Sequence, residues 1–231
     1  MNLIIDIGNT SIKVAFFDKG SFVSQKVVLE HELQKELEKV WDGVIVSCVG
    51  QKPKVDFSKA LVLSSNTKLP ITLNYQTPQT VGVDRLAGVI GAQVLFPKKA
   101  CLVIDLGTCV TYDLVSAEGV FEGGIISPGW QMRLSAMNNF TSALPLLTKS
   151  AQIEHTGKST EGCMQSGAFH GLLHEIEGII SHYSEKIPDL RVVLCGGDAK
   201  TFETKLKPHI FVQPNLVLIG LNRILEYHNA D

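Results

Sequence analysis

Two short segments of this chain pair an acid with a glycine turn, a combination suited to phosphate and divalent metal. Leu3-Ile4-Ile5-Asp6-Ile7-Gly8-Asn9-Thr10 returns downstream as Leu102-Val103-Ile104-Asp105-Leu106-Gly107-Thr108. The offset is 99 residues at both Asp6/Asp105 and Gly8/Gly107, and it persists without a gap to Gly20/Gly119 and Phe22/Phe121. Two whole hairpins therefore match. An Asp at the end of a buried strand can hold a hydrated cation, and the glycine lets backbone N–H groups approach phosphate oxygens. In the first copy Asp6 would hold Mg²⁺ through water, because Mg²⁺ sheds its hydration shell reluctantly. Asn9, Thr10 and Ser11 add donors, and Lys13 on the following strand meets phosphate as a compact charge. In the second copy Thr108 offers a hydroxyl beside the backbone N–H groups. Asp105 there either binds a cation, orients a nucleophile or caps its own turn. Two such hairpins facing each other would form a cleft with one carboxylate on each wall.

Other segments are ambiguous from residue types alone. In Gly82-Val83-Asp84-Arg85 the acid precedes an apolar-periodic helix, which favours a helix N-cap over a catalyst. Arg85 on the first turn is poorly placed for the helix dipole and fits better with an anionic ligand, whose carboxylate a guanidinium can meet in bidentate fashion. Gly196-Gly197-Asp198-Ala199 follows a buried strand and precedes a helix. Asp198 is a plausible cap, and the glycine pair is a surface on which an adenine ring could lie flat. His170 and His174 share a helix face, but no third ligand completes a metal site. No Ser-His-Asp arrangement, nucleophile elbow or P-loop is present.

The elements that must position these residues follow from periodicity. Residues 2–7, 12–17 and 21–29 read as strands joined by tight turns, and 30–40 as an amphipathic helix. Strands follow at 44–49 and 61–63, then an irregular stretch over 64–83, long enough to be functional or mobile. Leu86, Val89, Ile90 and Val94 mark a helix ended by Pro97-Lys98-Lys99. The second copy supplies strands at 101–106, 110–115 and 119–126, a turn-rich crossover over 123–129, and helices near 130–138 and 160–185. A strand at 192–194 and a last helix from about 215 to 227 complete the chain. Strands alternating with helices argue an α/β protein with mixed sheets. No low-complexity linker separates the halves, which are expected to share an interface and a hinge.

Composition narrows the class. With 45% apolar and 19% charged residues the chain has ample core for a globular protein. A net charge of −2 and the lack of any basic run argue against nucleic acid. Five cysteines, scattered without a C-x-x-C pair, fit neither a disulfide framework nor zinc. They suit reduced thiols in a cytosol. Asp6 interrupts the first apolar run, so a secretory leader is not expected, and no uncharged stretch approaches membrane-spanning length. The expected location is cytoplasmic.

With these motifs assembled, the chain resembles the type III pantothenate kinases of the actin-like, sugar-kinase-like ATPase superfamily. The segment Asp6-Ile7-Gly8-Asn9-Thr10-Ser11-Ile12-Lys13 is similar to that family's ATP-binding hairpin. Gly82-Val83-Asp84-Arg85 matches its G-x-D-R motif, and Asp105-Leu106-Gly107-Thr108 its D-x-G-T. Gly123-Gly124-Ile125-Ile126-Ser127-Pro128-Gly129 matches G-G-x-I-x-P-G. Leu144-Pro145, Ser159-Thr160, Met164-Gln165-Ser166-Gly167 and Gly196-Gly197 follow in the family's order. Departures are Cys109 after Thr108, Cys195 before the glycine pair and Trp130 after Pro128-Gly129, none of which removes a proposed catalytic group.

The resemblance implies two similar actin-like ATPase (ribonuclease H-like) domains, over residues 1–97 and 98–231, each a mixed sheet flanked by helices, with a cleft between them. It implies ATP-dependent phosphorylation of pantothenate to 4′-phosphopantothenate, the first step of coenzyme A biosynthesis. Asp84 would be the base facing the substrate hydroxyl. Tyr75, Gly82, Val83, Arg85 and Thr160 would form the pantothenate pocket, and Thr108, Gly196 and Gly197 would contact ATP. Asp105 would bind a monovalent cation, K⁺ or NH₄⁺, beside the Mg²⁺ carried with ATP. A homodimer is implied, with no nucleic acid or membrane partner. The rivals are a sugar-type kinase on the same scaffold and a non-catalytic transcriptional accessory factor.

Overall fold

The computed structural model describes residues 1–206 and 210–230; residues 207–209 and 231, inside the expected second domain, lie outside the described residues. The first stretch contains β1 (Asn2–Ile7), β2 (Ile12–Asp18), β3 (Ser21–Val28), α1 (Glu30–Leu37), β4 (Gly43–Cys48), β5 (Leu61–Val62), β6 (Thr72–Leu73) and α2 (Val83–Leu95). The second contains β7 (Cys101–Leu106), β8 (Cys109–Val115), β9 (Val120–Pro128), α3 (Trp130–Asn139), α4 (Thr160–Lys186), β10 (Arg191–Cys195), α5 (Ala199–Glu203), β11 (Ile210–Val212) and α6 (Leu216–Asn229).

The strands form two mixed sheets, ordered β3-β2-β1-β4-β5 and β11-β10-β7-β8-β9-β6. Read from its other end, the second sheet repeats the first: β9, β8, β7, β10 and β11 take the places of β3, β2, β1, β4 and β5. In the first sheet β1 runs antiparallel to β2 and parallel to β4. This is the two-copy α/β architecture that the repeated hairpin anticipates.

Burial explains why β1 reads as an almost unbroken apolar run. Ile4 faces one side of the sheet, against Ala87, Ile90, Leu221 and Ile224, while Leu3, Ile5 and Ile7 face the other, against Leu33, Val46 and Phe57. A strand covered on both faces has no polar side to alternate with. Each fully buried Leu or Ile contributes about 1.5–3 kcal/mol, so the strand ends carrying Asp6 and Asp105 stand on firm footing. Around β7, the core packs Leu102, Ile104 and Leu106 with a ring cluster of Trp130, Phe169 and Phe202, whose centroids lie 4.9–6.0 Å apart.

The chain separates into two compact units that do not follow chain order. The first joins Met1–Cys101 with Asp113–Gly123 and the segment from Asn215, and the second joins Leu102–Tyr112 with Gly124–Pro214. Helix α6 belongs to the first unit because its apolar face, Leu218, Leu221, Ile224 and Leu225, packs with Ile4, Phe17, Ile45 and Ile90. It crosses α2 at backbone distance: a Cβ on Gly220 would lie 1.8 Å from the Ala87 carbonyl oxygen, and one on Gly91 would lie 2.2 Å from that of Leu216. Two sequence expectations change. Residues 123–128 continue β9 instead of forming a turn-rich crossover, Gly123 meeting the strand's distortion with φ +91°. The strand β11 and the two-residue β6 add edges that short, unpatterned segments do not announce.

Candidate active site

In the first unit the β1–β2 turn is closed by the Gly8 N–H, which donates to the Ser11 carbonyl at 3.0 Å. The Val49 and Gly50 N–H groups, at the exit of β4, both donate to the Ile7 carbonyl, at 3.0 and 3.2 Å. Gly50 presses so close that a Cβ there would stand 2.4 Å from the Gly8 oxygen. The turn is thus braced from below, with Asn9 and Thr10 exposed at its tip and Ser11, Ile12 and Lys13 partly covered. Gly50 was not among the expected site residues; a glycine directly after a buried strand was the available signal.

Asp6 sits opposite Lys13 on β2 and Ser47 on β4 in the strand registers. Burial pushes its carboxyl from 3.8 up to about 6, Lys13 pulls it back, the negative charge of Asp84 raises it, and the Ser47 hydroxyl lowers it. Asp6 therefore lies within reach of the Asp84 charge, inside one unit. Desolvation is the strongest of these influences, as expected for a carboxylate at the end of a fully covered strand.

Asp84 is not the helix cap that residue types favour. Gly82 takes the N-cap position of α2 with no side-chain bond, and Asp84 stands within the first turn. Its Oδ1 accepts the Arg85 N–H at 2.9 Å, in a site where a Cβ on Gly82 would come within 2.6 Å of it. The glycine makes room for the folded-back carboxylate. Arg85 finds its anion inside the protein: Nε and Nη2 donate to Asp113 Oδ1 at 2.9 and 2.5 Å. The two side chains are only 9% and 1% exposed. Burial alone would discourage the charge on Arg85, but Asp113, aided by Tyr75, holds its pKa above the ordinary value. The guanidinium lies over the Phe121 ring at 5.8 Å, and Tyr75 packs on the same ring, also at 5.8 Å. Tyr75 approaches Gly123, where a Cβ would be 3.4 Å from its ring. Gly82, Val83, Asp84, Arg85 and Tyr75 are thereby gathered in one unit. Asp113 was missed, because no local pattern links β8 to the start of α2.

In the second unit three motifs converge on the β7–β8 turn. The Gly107 N–H donates to the Cys109 carbonyl at 3.1 Å, and the Gly129 N–H donates to the Thr108 carbonyl at 3.2 Å. A Cβ on Gly129 would stand 2.4 Å from that oxygen, so only glycine fits. From the other side Gly196, at φ +89°, would place a Cβ 2.5 Å from Asp105 Oδ1 and 2.6 Å from the Leu106 backbone. The Asp198 N–H completes the seat by donating to the Leu106 carbonyl at 3.1 Å. Asp105, Thr108, Gly196 and Gly197 are thus neighbours. Asp198 occupies the N-cap position of α5 without a side-chain cap bond; its Oδ1 pairs with Lys149 Nζ at 2.6 Å, and that ammonium lies 5.6 Å from the Trp130 ring centre.

Thr160 opens α4, with Ser159 as N-cap accepting the Gly162 N–H at 3.1 Å. It lines an open cavity of about 790 Å³ together with Met137, Leu144, Lys158, Cys163 and Met164. His170 and His174 stand near His155. Among the described residues no group of three or more His, Cys, Asp or Glu forms a metal-holding cluster. A single carboxylate such as Asp6 still suits Mg²⁺, which is commonly held by one or two carboxylates plus the substrate's phosphates. The described residues contain no helix long and apolar enough to cross a membrane.

Comparison with known proteins supplies the frame for this geometry. A family model described as type III pantothenate kinase matches residues 2–182. The type III pantothenate kinase of Phocaeicola vulgatus is 43% identical over 244 residues, covering 99% of each chain. That of Cytophaga hutchinsonii is 42% identical over 236 residues, covering 99% of this chain and all of its own. Among solved structures, a Baf family transcriptional activator from Campylobacter jejuni aligns with a TM-score of 0.66 at 18% identity, covering 99% of this chain and 100% of its own. A 2-dehydro-3-deoxygalactonokinase from Sinorhizobium meliloti aligns at 0.58 and 13% identity, covering 99% of both. At such identities these two speak to the fold alone.

Proposed function

This chain belongs to the type III pantothenate kinase family, and from that premise we propose that it transfers the γ-phosphoryl group of ATP to the primary hydroxyl of pantothenate. The product is 4′-phosphopantothenate, at the entry to coenzyme A biosynthesis. The observation that carries the reading is the placement of Asp84 on the first turn of α2, within electrostatic reach of Asp6 and next to Arg85. A carboxylate that faces the acceptor alcohol and one that serves the nucleotide's metal belong together in a kinase.

The first hairpin takes the phosphates of ATP. Asn9, Thr10 and Ser11 contribute donors, Gly8 permits close backbone approach, Ile7 and Ile12 frame the turn, and Lys13 supplies charge. Asp6 would hold the Mg²⁺ that accompanies ATP, and the metal would supply neutralisation of the charge on the transferred group. The second hairpin contributes Thr108 to ATP, the Gly196-Gly197 pair receives adenine, and Asp105 would hold the monovalent cation, K⁺ or NH₄⁺. Pantothenate lies against Gly82, Val83, Arg85 and Tyr75, with Thr160 adding a hydroxyl. Arg85 commits two donors to Asp113 and also bonds Tyr75, so the N–H groups beyond those bonds address the substrate. Phosphoryl transfer passes through a loose transition state, so most of the acceleration is alignment and charge neutralisation. Asp84 orients the hydroxyl and accepts its proton late, a contribution of about 10²–10⁴-fold.

We place the enzyme in the cytoplasm as a homodimer, with residues 1–97 and 98–231 as two copies of one ATPase domain whose last helix is lent to the first copy. The deciding experiment measures ADP release with ATP and Mg²⁺, with and without pantothenate and K⁺, beside a panel of sugars. Release that depends on pantothenate supports the reading; release with sugars alone refutes it. Asp84→Asn is expected to lower kcat by about 10²–10⁴-fold with ATP affinity retained, and an unchanged kcat would reduce Asp84 to a structural residue.

A further inference from the structure

Glu175 lies well inside α4 and has no role in the assignments above, yet its carboxylate collects donors from three other elements. Tyr112 Oη of β8 donates to Oε1 at 2.8 Å, while Ser127 Oγ of β9 and Arg133 Nη2 of α3 donate to Oε2 at 3.1 and 2.5 Å. Arg133 is 22% and Glu175 27% exposed, so the pair is largely shielded from water. Burial works against the charge on Glu175, but Arg133, Tyr112 and Ser127 hold its pKa below the ordinary carboxylate value.

The hydrogen bonds continue in one direction. Arg133 Nε donates to the Pro128 carbonyl at 2.8 Å, and its Nη2 also reaches Ser127 Oγ at 3.0 Å. The next residue, Gly129, gives its N–H to the Thr108 carbonyl, the contact too close for any Cβ. Residues 127–129 are therefore gripped by the arginine fork on one side and seated on the Asp105-Leu106-Gly107-Thr108 turn on the other.

We propose that Glu175 is a positioning residue for nucleotide binding, which by orienting Arg133 fixes Pro128-Gly129 and so sets the place of the Thr108 turn. The inference rests on the reading of that turn as an ATP contact. A planar fork is needed, because one side chain must bond the Pro128 carbonyl, Ser127 and Glu175 together; a lysine brings the same charge without that geometry. If the network only anchored α4, charge alone would suffice and affinity for nucleotide would not change.

The test is calorimetric titration of the full-length protein with ADP and Mg²⁺, with the pantothenate KM and the melting temperature measured alongside. Glu175→Gln and Arg133→Lys are each expected to weaken ADP binding about tenfold, the equivalent of one charge-assisted hydrogen bond, with pantothenate KM unchanged. Arg133→Lys keeps a cation beside Glu175 and decides the matter should Glu175→Gln fail to fold. Wild-type ADP affinity in Arg133→Lys overturns the proposal and leaves the kinase reading intact. A wild-type protein that binds no ADP refutes the nucleotide assignment itself, and this proposal with it.

Discussion

Replacing Asp6 by Asn should make the protein more stable and inactive at the same time. The folded protein holds this carboxyl near 6 against 3.8 for the free group, chiefly because burial strips its hydration. That difference is worth about 3 kcal/mol of unfavourable free energy once the group is ionised. The sign follows from proton uptake: between those two pH values the folded state binds more protons than the unfolded chain, so stability falls as pH rises through the window. Above it the cost is fully present, at pH 5 about half of it remains, and below about pH 4 it vanishes. Asp6→Asn removes a charge and keeps the shape, so its gain over wild type is at most about 3 kcal/mol at pH 8, reduced by whatever the buried amide fails to bond. It should shrink to about half at pH 5. Urea unfolding of the nucleotide-free protein at the two pH values reads this directly. A gain of equal size at both, or a loss that is the same at both, would show that Asp6 is not held in an ionised state against its environment. Activity gives the complementary reading: wild-type kcat/KM for ATP should fall below about pH 6 as the carboxylate proposed to serve the nucleotide's cation becomes protonated, and the Asn variant should be inactive throughout.

Three further perturbations test the supports of the site. Asp113→Ala strands the Arg85 guanidinium in a nearly dry position and should cost about 3–5 kcal/mol, seen by thermal unfolding, with a raised pantothenate KM in whatever fraction folds. Gly220→Ala forces a methyl into the Ala87 carbonyl at the α2–α6 crossing and should cost about 1–3 kcal/mol or more; because α2 carries Asp84, kcat should fall along with stability. Gly196→Ala combines a positive φ with a clash against Asp105 and Leu106, so it should weaken ADP binding and, on the proposed cation role of Asp105, blunt activation by K⁺ while leaving pantothenate KM unchanged, which steady-state kinetics at varied K⁺ would reveal.

Much of this protein is legible along the chain, since the relevant signals are local. The two hairpins announce themselves because each needs an apolar strand, an acid at its end, a small turn and a second strand, and a repeat at constant offset makes coincidence untenable. The matching sheet orders follow from that duplication. The register Asp6↔Lys13 follows as well, since a two-strand hairpin with a short turn fixes its own pairing. The family motifs around Asp84, Asp105 and Gly196 are contiguous and can be seen without coordinates.

What lies across the fold could not be seen this way. Asp113 sits among the apolar residues of β8 and reads as an ordinary strand position, yet it is the anion that holds Arg85, 28 residues earlier in the chain. Gly50 and Gly129 look like loop residues, but each lets its own segment's backbone approach the turn of a repeated hairpin. Helix α6 reads as the end of the second half and packs instead on the first sheet, where Gly91 and Gly220 let it cross α2 at contact. The Glu175–Arg133 pair spans 42 residues, and with Tyr112 and Ser127 it ties four elements together. Periodicity and turn chemistry act over a few residues, whereas ion pairing, close backbone crossing and desolvation depend on which surfaces finally meet, and only the packed chain decides that.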